Sequence, residues 1–155
     1  MTEQLVDTWL INNRVNLILL SELTQEGLQS TLSTRGGRTV GQQLAHVYDV
    51  RRRRLELADK DLLENLPAIS REKGHDKALL TLGFETSGMA VAELIRQSAE
   101  DGGRVRNFPR GIVALTGYLI AHEAHHRGGI LLTLKQSGIR RSDRLKWGIW
   151  DWNKI

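Results

Sequence analysis

The sequence of 155 residues contains no cysteine. This absence excludes disulfide bonds, thiolate ligands to a metal and a catalytic cysteine, and it fits a reducing compartment. Any transition-metal site in the chain must therefore use the side chains of His, Asp or Glu.

Features that would direct the chain to a membrane are also missing. The first residues, Met-Thr-Glu-Gln-Leu-Val-Asp, carry acidic groups where a signal peptide carries basic ones, and no run reaches the roughly 18 uninterrupted apolar residues of a membrane span. We therefore expect a cytoplasmic protein without a membrane partner. The length fits a single domain over residues 1–155, and the net charge of +4 suits nucleic acid without establishing it as a partner.

Alternating β-branched runs typical of strands are absent, and apolar residues recur at helical spacing instead. The spacing predicts four helices, over about 2–26, 40–63, 75–100 and 112–137. Thr39 is the predicted N-cap of the second helix, with Gln42 completing a capping box. The connection before the third helix is long enough for a crossover, so we predict an all-α four-helix bundle.

The C-terminal segment, Ile139 to Ile155, has no helical period and holds three of the four tryptophans. We expect it to be irregular. Trp147, Trp150 and Trp152 are predicted to close one end of the bundle and so to anchor the segment.

Three histidines and a glutamate lie close together on the predicted fourth helix. His122 and His126 are about one turn apart, so their imidazoles point the same way and can bind one cation. A catalytic zinc site usually has three protein ligands and an open position. His46, at the edge of the inward face of the second helix, is the best candidate for the third ligand, although a core histidine bonded to a carbonyl or carboxylate is the alternative. His75 lies in a polar setting and is expected to have no role.

The residues from His122 to His126 also match the H-E-x-x-H pattern of zinc peptidases, in which the glutamate is the general base. Such enzymes need a further downstream ligand, normally with a sheet edge to hold the substrate, but no His or Glu follows Arg127 and no strand is predicted. A zincin-type metallopeptidase is therefore disfavoured. Glu123 is expected to orient a metal ligand or to pair with a neighbouring arginine, with a general-base role as the alternative. His125 is expected on the surface.

Arg51 and Arg54 flank the strongest basic run of the chain. The two arginines between them fall on the polar side of the second helix, whereas Arg51 and Arg54 fall among apolar positions. A guanidinium there must pair with a carboxylate or reach a ligand. One interpretation is an ion pair with an acid of the first helix such as Glu22. The other makes Arg51 and Arg54 substrate-binding residues that recognise an anion near the metal.

Three features together resemble the DinB/YfiT-like family of metal-dependent enzymes. They are Gly41-Gln-Gln-Leu-Ala-His46, His122-Glu-Ala-His-His-Arg-Gly-Gly129 and the Trp-rich end, and the similarity covers nearly the whole chain. The resemblance implies that His46, His122 and His126 hold a divalent ion, commonly zinc or nickel, with an open coordination position. It also implies an up-down-down-up bundle and frequently a homodimer.

Characterised members of that family include thiol S-transferases that use bacillithiol or mycothiol and an isomerase that acts on maleylpyruvate, while many carry only the name of DNA-damage-inducible protein. The resemblance implies a metal-dependent enzyme with a small-molecule substrate, either a transferase using a low-molecular-weight thiol or a hydrolase. The alternative is a non-enzymatic, stress-related protein that binds metal or nucleic acid. Because the basic residues are split between the second helix and the tail, with no groove-reading motif, nucleic acid is disfavoured.

Overall fold

The computed structural model describes residues 1–155, which form helices and no strand. The long helices are α1 (Thr2–Glu22), α3 (Val40–Ala58), α4 (Lys77–Glu100) and α5 (Gly111–Gln136), and the short ones are α2 (Gln25–Gln29) and α6 (Asp143–Lys146). Short 3-10 turns cover Lys60–Leu63, Arg71–His75 and Gly148–Trp150. The prediction of an all-α protein is confirmed.

Two helices end earlier than the periodicity predicted, and capping residues explain both ends. α1 ends at Glu22, and the hydroxyl of Thr24 then caps α2 by accepting a hydrogen bond from the Gly27 amide. α3 ends at Ala58 because Asp59 is extended and its carboxylate caps the following 3-10 turn. The capping box predicted at the start of α3 is present, since Thr39 and Gln42 satisfy each other's backbone amides.

The start of α3 is in very close contact with the turn before α4. A Cβ atom on Gly41 would overlap the carbonyl group of Gly74, so neither position accommodates a side chain without moving the backbone. This contact explains the glycine that opens the Gly41 to His46 motif. The contact holds the long connection between α3 and α4 against the first turn of α3.

The core consists of two apolar clusters separated by a polar layer. α1 and α3 each pack against both α4 and α5. One cluster contains Leu19, Tyr48, Phe84 and Ile130, and the other contains Trp9, Leu55, Val91 and Leu119. On each long helix, buried polar residues fall between the two clusters: Asn12, Asn13, Asn16, Arg51, Ser87 and Glu123.

By length and composition alone, α4 is apolar enough to cross a membrane. The core helix of a soluble protein passes the same test, and ten residues of α4 are buried against the other helices. The packing of α4 therefore accounts for its hydropathy.

The prediction that the tryptophans anchor the C-terminal segment is wrong. Leu145 and Ile149 are the buried anchors, whereas Trp147 is 71% exposed and Trp150 is 74% exposed. Leu145 and Ile149 are four residues apart around a helical turn, so they face inward together and turn the neighbouring tryptophans outward. The segment also has more regular structure than expected, because it includes α6.

Candidate metal centre

The structure brings His46, His122 and His126 together. α3 supplies His46, α5 supplies the other two, and ligand nitrogens of all three lie within 4.8 Å of one another. The ring centroids are 4.7 Å apart for His122 and His126, and 5.3 Å and 5.0 Å from each of them to His46. No Asp or Glu joins the group, so a bound ion would keep at least one position free of protein ligands.

The donor set fits a divalent ion. None of the three imidazoles makes a hydrogen bond to another protein group, and Nδ1 of His122 is buried without any partner. Buried polar atoms almost always have a partner, so a set of core histidines satisfied by carbonyls is not what the structure contains. Imidazole nitrogens suit zinc and nickel equally, and the geometry does not choose between them.

Electrostatics keep the three imidazoles in the form that binds metal. Burial lowers the pKa of His126 to about 4, with further lowering by the neighbouring histidines. Burial also lowers the pKa of His122, and burial together with the charge of Arg38 lowers that of His46. Neutral imidazole is the metal ligand, so no proton has to be displaced near neutral pH.

A cavity of about 520 Å³ lies beside His126. Its wall includes Arg38, Gln43, His125 and Gly129, and no acidic residue lines it. A cavity of about 550 Å³ lies between α1 and the C-terminal segment and one of about 780 Å³ lies next to His75, but neither holds a cluster of ligating side chains. Of these three cavities, the one beside His126 is the one that reaches the histidine cluster.

On the other side of the histidines, aromatic rings link the centre to Arg54. The ring of Tyr118 stacks on His122 with a centroid distance of 6.1 Å and an interplanar angle of 22°. The guanidinium of Arg54 lies 4.9 Å from the centroid of Tyr118 and 5.6 Å from that of Phe108. Tyr118 thus contacts both Arg54 and His122.

Arg51 lies instead in the buried polar layer, in a two-pronged ion pair with Glu123. Nε and Nη2 of Arg51 donate to the carboxylate at 2.6 Å and 2.8 Å, and the two side chains are 0% and 1% exposed. Asn12 and Asn16 also donate to Glu123, at 2.7 Å and 2.6 Å. Nη1 of Arg51 donates to Asn13 and Ser87 and to a carbonyl of α4. The layer therefore ties all four long helices together beneath the histidines.

Two expectations are corrected by this layer. The partner of Arg51 is Glu123 rather than Glu22, whose carboxylate lies 4.0 Å from Arg144, and a guanidinium that is completely buried cannot reach a substrate. Both oxygens of Glu123 are occupied by donors, so a general-base role has no support in this geometry. Without that base and without any strand, the peptidase interpretation also loses its support.

Helical periodicity did not identify the asparagine amides that complete the layer. Arg127 donates to the side-chain oxygens of Asn12 and Asn16, which explains an arginine directly after the last histidine. A usable signal was present, because three asparagines interrupt the apolar face of α1. His75 and His125 are exposed, as expected, and neither joins the cluster.

We expect the stability of the metal-free protein to fall on mild acidification. The unfolded chain binds a proton at His126 near the ordinary pKa of 6.5, whereas the folded protein does so only near 4. Between these values the unfolded state binds more protons, so the free energy of unfolding decreases as the pH falls through this window. Urea titrations between pH 7 and pH 4 should show a shallower loss for His126→Gln than for the wild type. Superimposable profiles would contradict the assignment.

The model of the DinB family matches residues 1–143, which include α1 to α5 and all three clustered histidines. No curated protein and no solved structure matches the chain significantly. The matched region ends at the first residue of α6, so it leaves out the exposed tryptophans of the C-terminal segment. Since the match covers most of the chain and contains the histidine cluster, the protein belongs to the DinB family.

Proposed function

We propose that the protein is a metal-dependent thiol S-transferase acting on a small electrophile. One observation carries the proposal: His46, His122 and His126 lie together without protein partners, and His126 lines a cavity that could admit a substrate. A structural zinc site is normally closed by four protein ligands, whereas a catalytic site keeps an open position. A cluster of three imidazoles with no acid among the grouped ligand atoms matches the second type.

A divalent ion at this centre would supply a Lewis acid that lowers the pKa of a thiol and so raises its thiolate fraction. The residues of the chain provide the rest. His46, His122 and His126 would hold the ion, and the cavity wall around Gln43 and Gly129 would admit the electrophile. In the transfer, sulfur forms a bond to an electrophilic carbon, the bond from carbon to the leaving group breaks, and the thiol proton leaves as the conjugate acid of the leaving group or of buffer.

The choice of thiol over water rests on the absence of a base. Hydrolytic zinc sites of the H-E-x-x-H type use the glutamate to accept a proton from water. Here Glu123 is held by Arg51, Asn12 and Asn16, and no carboxylate lines the cavity. A thiol ionises far more readily than water, so it depends less on a neighbouring base. Hydrolysis remains the second reaction to test.

We further propose that the four long helices form the up-down-down-up bundle implied by the DinB family. The pattern supports this arrangement, because α1 and α3 each pack against both α4 and α5 and a long connection separates α3 from α4. Zinc or nickel is the proposed ion, and the cytoplasm the proposed location, since the chain carries no cysteine that needs oxidation.

The non-enzymatic alternative has one observation in its favour. Trp147, Trp150 and Trp152 are exposed in a segment that also carries Arg140 and Arg141, and exposed aromatic rings among basic residues can stack on bases. Binding of this kind would weaken steeply with salt and would not depend on metal. Both properties separate it from the enzyme.

The metal-loaded wild type should conjugate a low-molecular-weight thiol to an activated electrophile such as 1-chloro-2,4-dinitrobenzene. We expect His126→Ala to remain folded and to lose at least about a hundredfold in rate, because removing a transition-state stabiliser commonly costs that much. The measurement is the thiol-dependent rate with zinc or nickel present, with circular dichroism as the check on folding. His75→Ala, which removes an exposed histidine outside the cluster, is the matched control and should keep the full rate.

The proposed enzyme is refuted if fully metal-loaded wild type catalyses neither reaction. Its rates of thiol conjugation and of ester or amide hydrolysis would then match the uncatalysed background. Activity that survives in His126→Ala would instead show that the reaction takes place elsewhere.

A further inference from the structure

We propose that Arg54 forms an anion-binding subsite beside the metal centre and that the thiol or its acceptor carries a carboxylate. This inference rests on the proposed function, because it identifies the chemical class of the molecule that the centre would bind. Its basis is the unusual position of the Arg54 guanidinium, which is fixed by aromatic rings and is not paired with an acid.

The rings hold Arg54 in place. Its guanidinium lies over Tyr118 at 4.9 Å and near Phe108 at 5.6 Å, and the two rings lie 6.3 Å apart. Stacking of this kind restricts a long side chain without using its N–H donors, which point outward from the edge of the guanidinium plane. Arg54 is half-buried, and its guanidinium makes no salt bridge and no side-chain hydrogen bond within the protein. Its donors therefore remain available to a ligand.

The two arginines of the buried polar layer have used their donors. Arg51 donates to Glu123, Asn13 and Ser87, and Arg127 donates to Asn12 and Asn16. Arg54 differs from both, because it has no such partner and stacks on the ring that contacts His122. A half-buried guanidinium without a partner has lost some hydration, so an incoming carboxylate gains a charge-assisted, two-pronged contact there.

The position of Arg54 suits a molecule that reaches both the subsite and the centre. The ring of Tyr118 contacts both Arg54 and His122, so one aromatic ring links the guanidinium to the cluster. Arg38 lies close enough to lower the pKa of His46 and His126, Asp49 opposes this effect only at His46, and a divalent ion would add two positive charges. An anionic ligand would thus be attracted to this site, and a cationic one would be repelled.

Three thiols of similar size and different charge test the inference: 3-mercaptopropionate, 2-mercaptoethanol and cysteamine. Calorimetric titration of zinc-loaded wild type should give an affinity for 3-mercaptopropionate at least about tenfold above that for 2-mercaptoethanol, with cysteamine the weakest. In Arg54→Gln the affinity for 3-mercaptopropionate should fall by about tenfold, while that for 2-mercaptoethanol stays within about twofold.

The matched control is Arg52→Gln, which removes the same charge from the same helix. Residue 52 lies about 200° around α3 from residue 54, and its charge acts on Tyr48 rather than on the histidines. We expect Arg52→Gln to keep the wild-type preference. Equal affinities for the three thiols, or a preference that Arg54→Gln retains, would overturn the anion subsite and leave the metal-dependent enzyme standing.

A second measurement decides the inference if zinc or thiols fail to bind, an outcome that would refute the proposed function itself. Propionate should shift the Nε–H resonance of Arg54 in nitrogen-15 spectra of the metal-free protein, and the resonance is assigned by its loss in Arg54→Gln. A shift supports the subsite whatever the reaction, and an unmoved resonance at saturating propionate overturns it.

Discussion

Replacing Glu123 with leucine should destabilise the protein by about 3–5 kcal/mol, which is the usual cost of leaving a buried charge without its partner. Arg51 would remain completely buried, and the amides of Asn12 and Asn16 would lose their shared acceptor. A typical domain has only ~5–15 kcal/mol of stability, so the variant should be close to unfolding. Urea denaturation followed by circular dichroism measures the loss. If Glu123→Leu does not fold, Glu123→Gln, which keeps the shape and removes the charge, should lose about 2 kcal/mol.

An exposed ion pair of the same length provides the control. Lys154 Nζ and Asp151 Oδ2 are 2.6 Å apart, as are Arg51 and Glu123, but the two side chains are 81% and 41% exposed. Asp151→Ala should therefore leave the free energy of unfolding within error of the wild type, because water screens an exposed pair. In the double variant Arg51→Met with Glu123→Leu, the loss should be at least about 2 kcal/mol smaller than the sum of the single losses. Additive losses would show that the pair is not coupled.

The buried layer also connects stability to the metal centre. Glu123 follows His122 directly on α5, and Arg51 lies little more than one turn beyond His46 on α3. Their ion pair therefore fixes the relative position of the two helices that supply all the ligands. A folded Glu123→Gln variant should bind zinc more weakly although Glu123 touches no ligand, because a small shift between α3 and α5 separates His46 from His122 and His126.

Helical periodicity was sufficient to predict the four long helices and the grouping of three histidines. Apolar spacing of three and four residues identifies α1, α3, α4 and α5, and the Thr39 capping box locates the start of α3 within one residue. The pair His122 and His126 could be recognised because residues four apart on a helix always share a face. His46 was predicted to face inward on α3 and so to complete the group. In the structure its ring lies beside the rings of His122 and His126.

The pairing of charges could not be predicted in the same way. A helix wheel shows that Arg51 faces inward, but the choice between Glu22 and Glu123 depends on how two helices far apart in sequence lie in register. For Glu123 the sequence left two roles open, orienting a metal ligand or pairing with an arginine, and the structure shows the pairing, with Arg51. The prediction for the C-terminal segment was wrong for a different reason. Tryptophan is highly buried on average, but here Leu145 and Ile149 occupy the inward-facing positions. A homodimer stays a prediction from the family resemblance.

The wild type should bind one zinc ion per chain, and His46→Ala, His122→Ala and His126→Ala should each lose it. Ligand nitrogens of all three imidazoles lie within 4.8 Å of one another, and each would supply one of only three protein ligands. Loss of a group that merely supports a ligand costs about 10–100-fold in affinity, so loss of a ligand itself should cost at least about a hundredfold. Elemental analysis after dialysis, on protein purified without a histidine tag, measures the stoichiometry.

Zinc should also raise the stability of the wild type, by about 2.7 kcal/mol at a free concentration a hundred times the dissociation constant, and should leave the ligand variants unchanged. His75→Ala and His125→Ala remove exposed imidazoles outside the cluster, so both should keep the ion and its stabilising effect. If His46→Ala retains zinc and His75→Ala loses it, the third ligand is His75, in the turn before α4, rather than His46. Retention by every single variant would mean that the ion binds somewhere other than between α3 and α5.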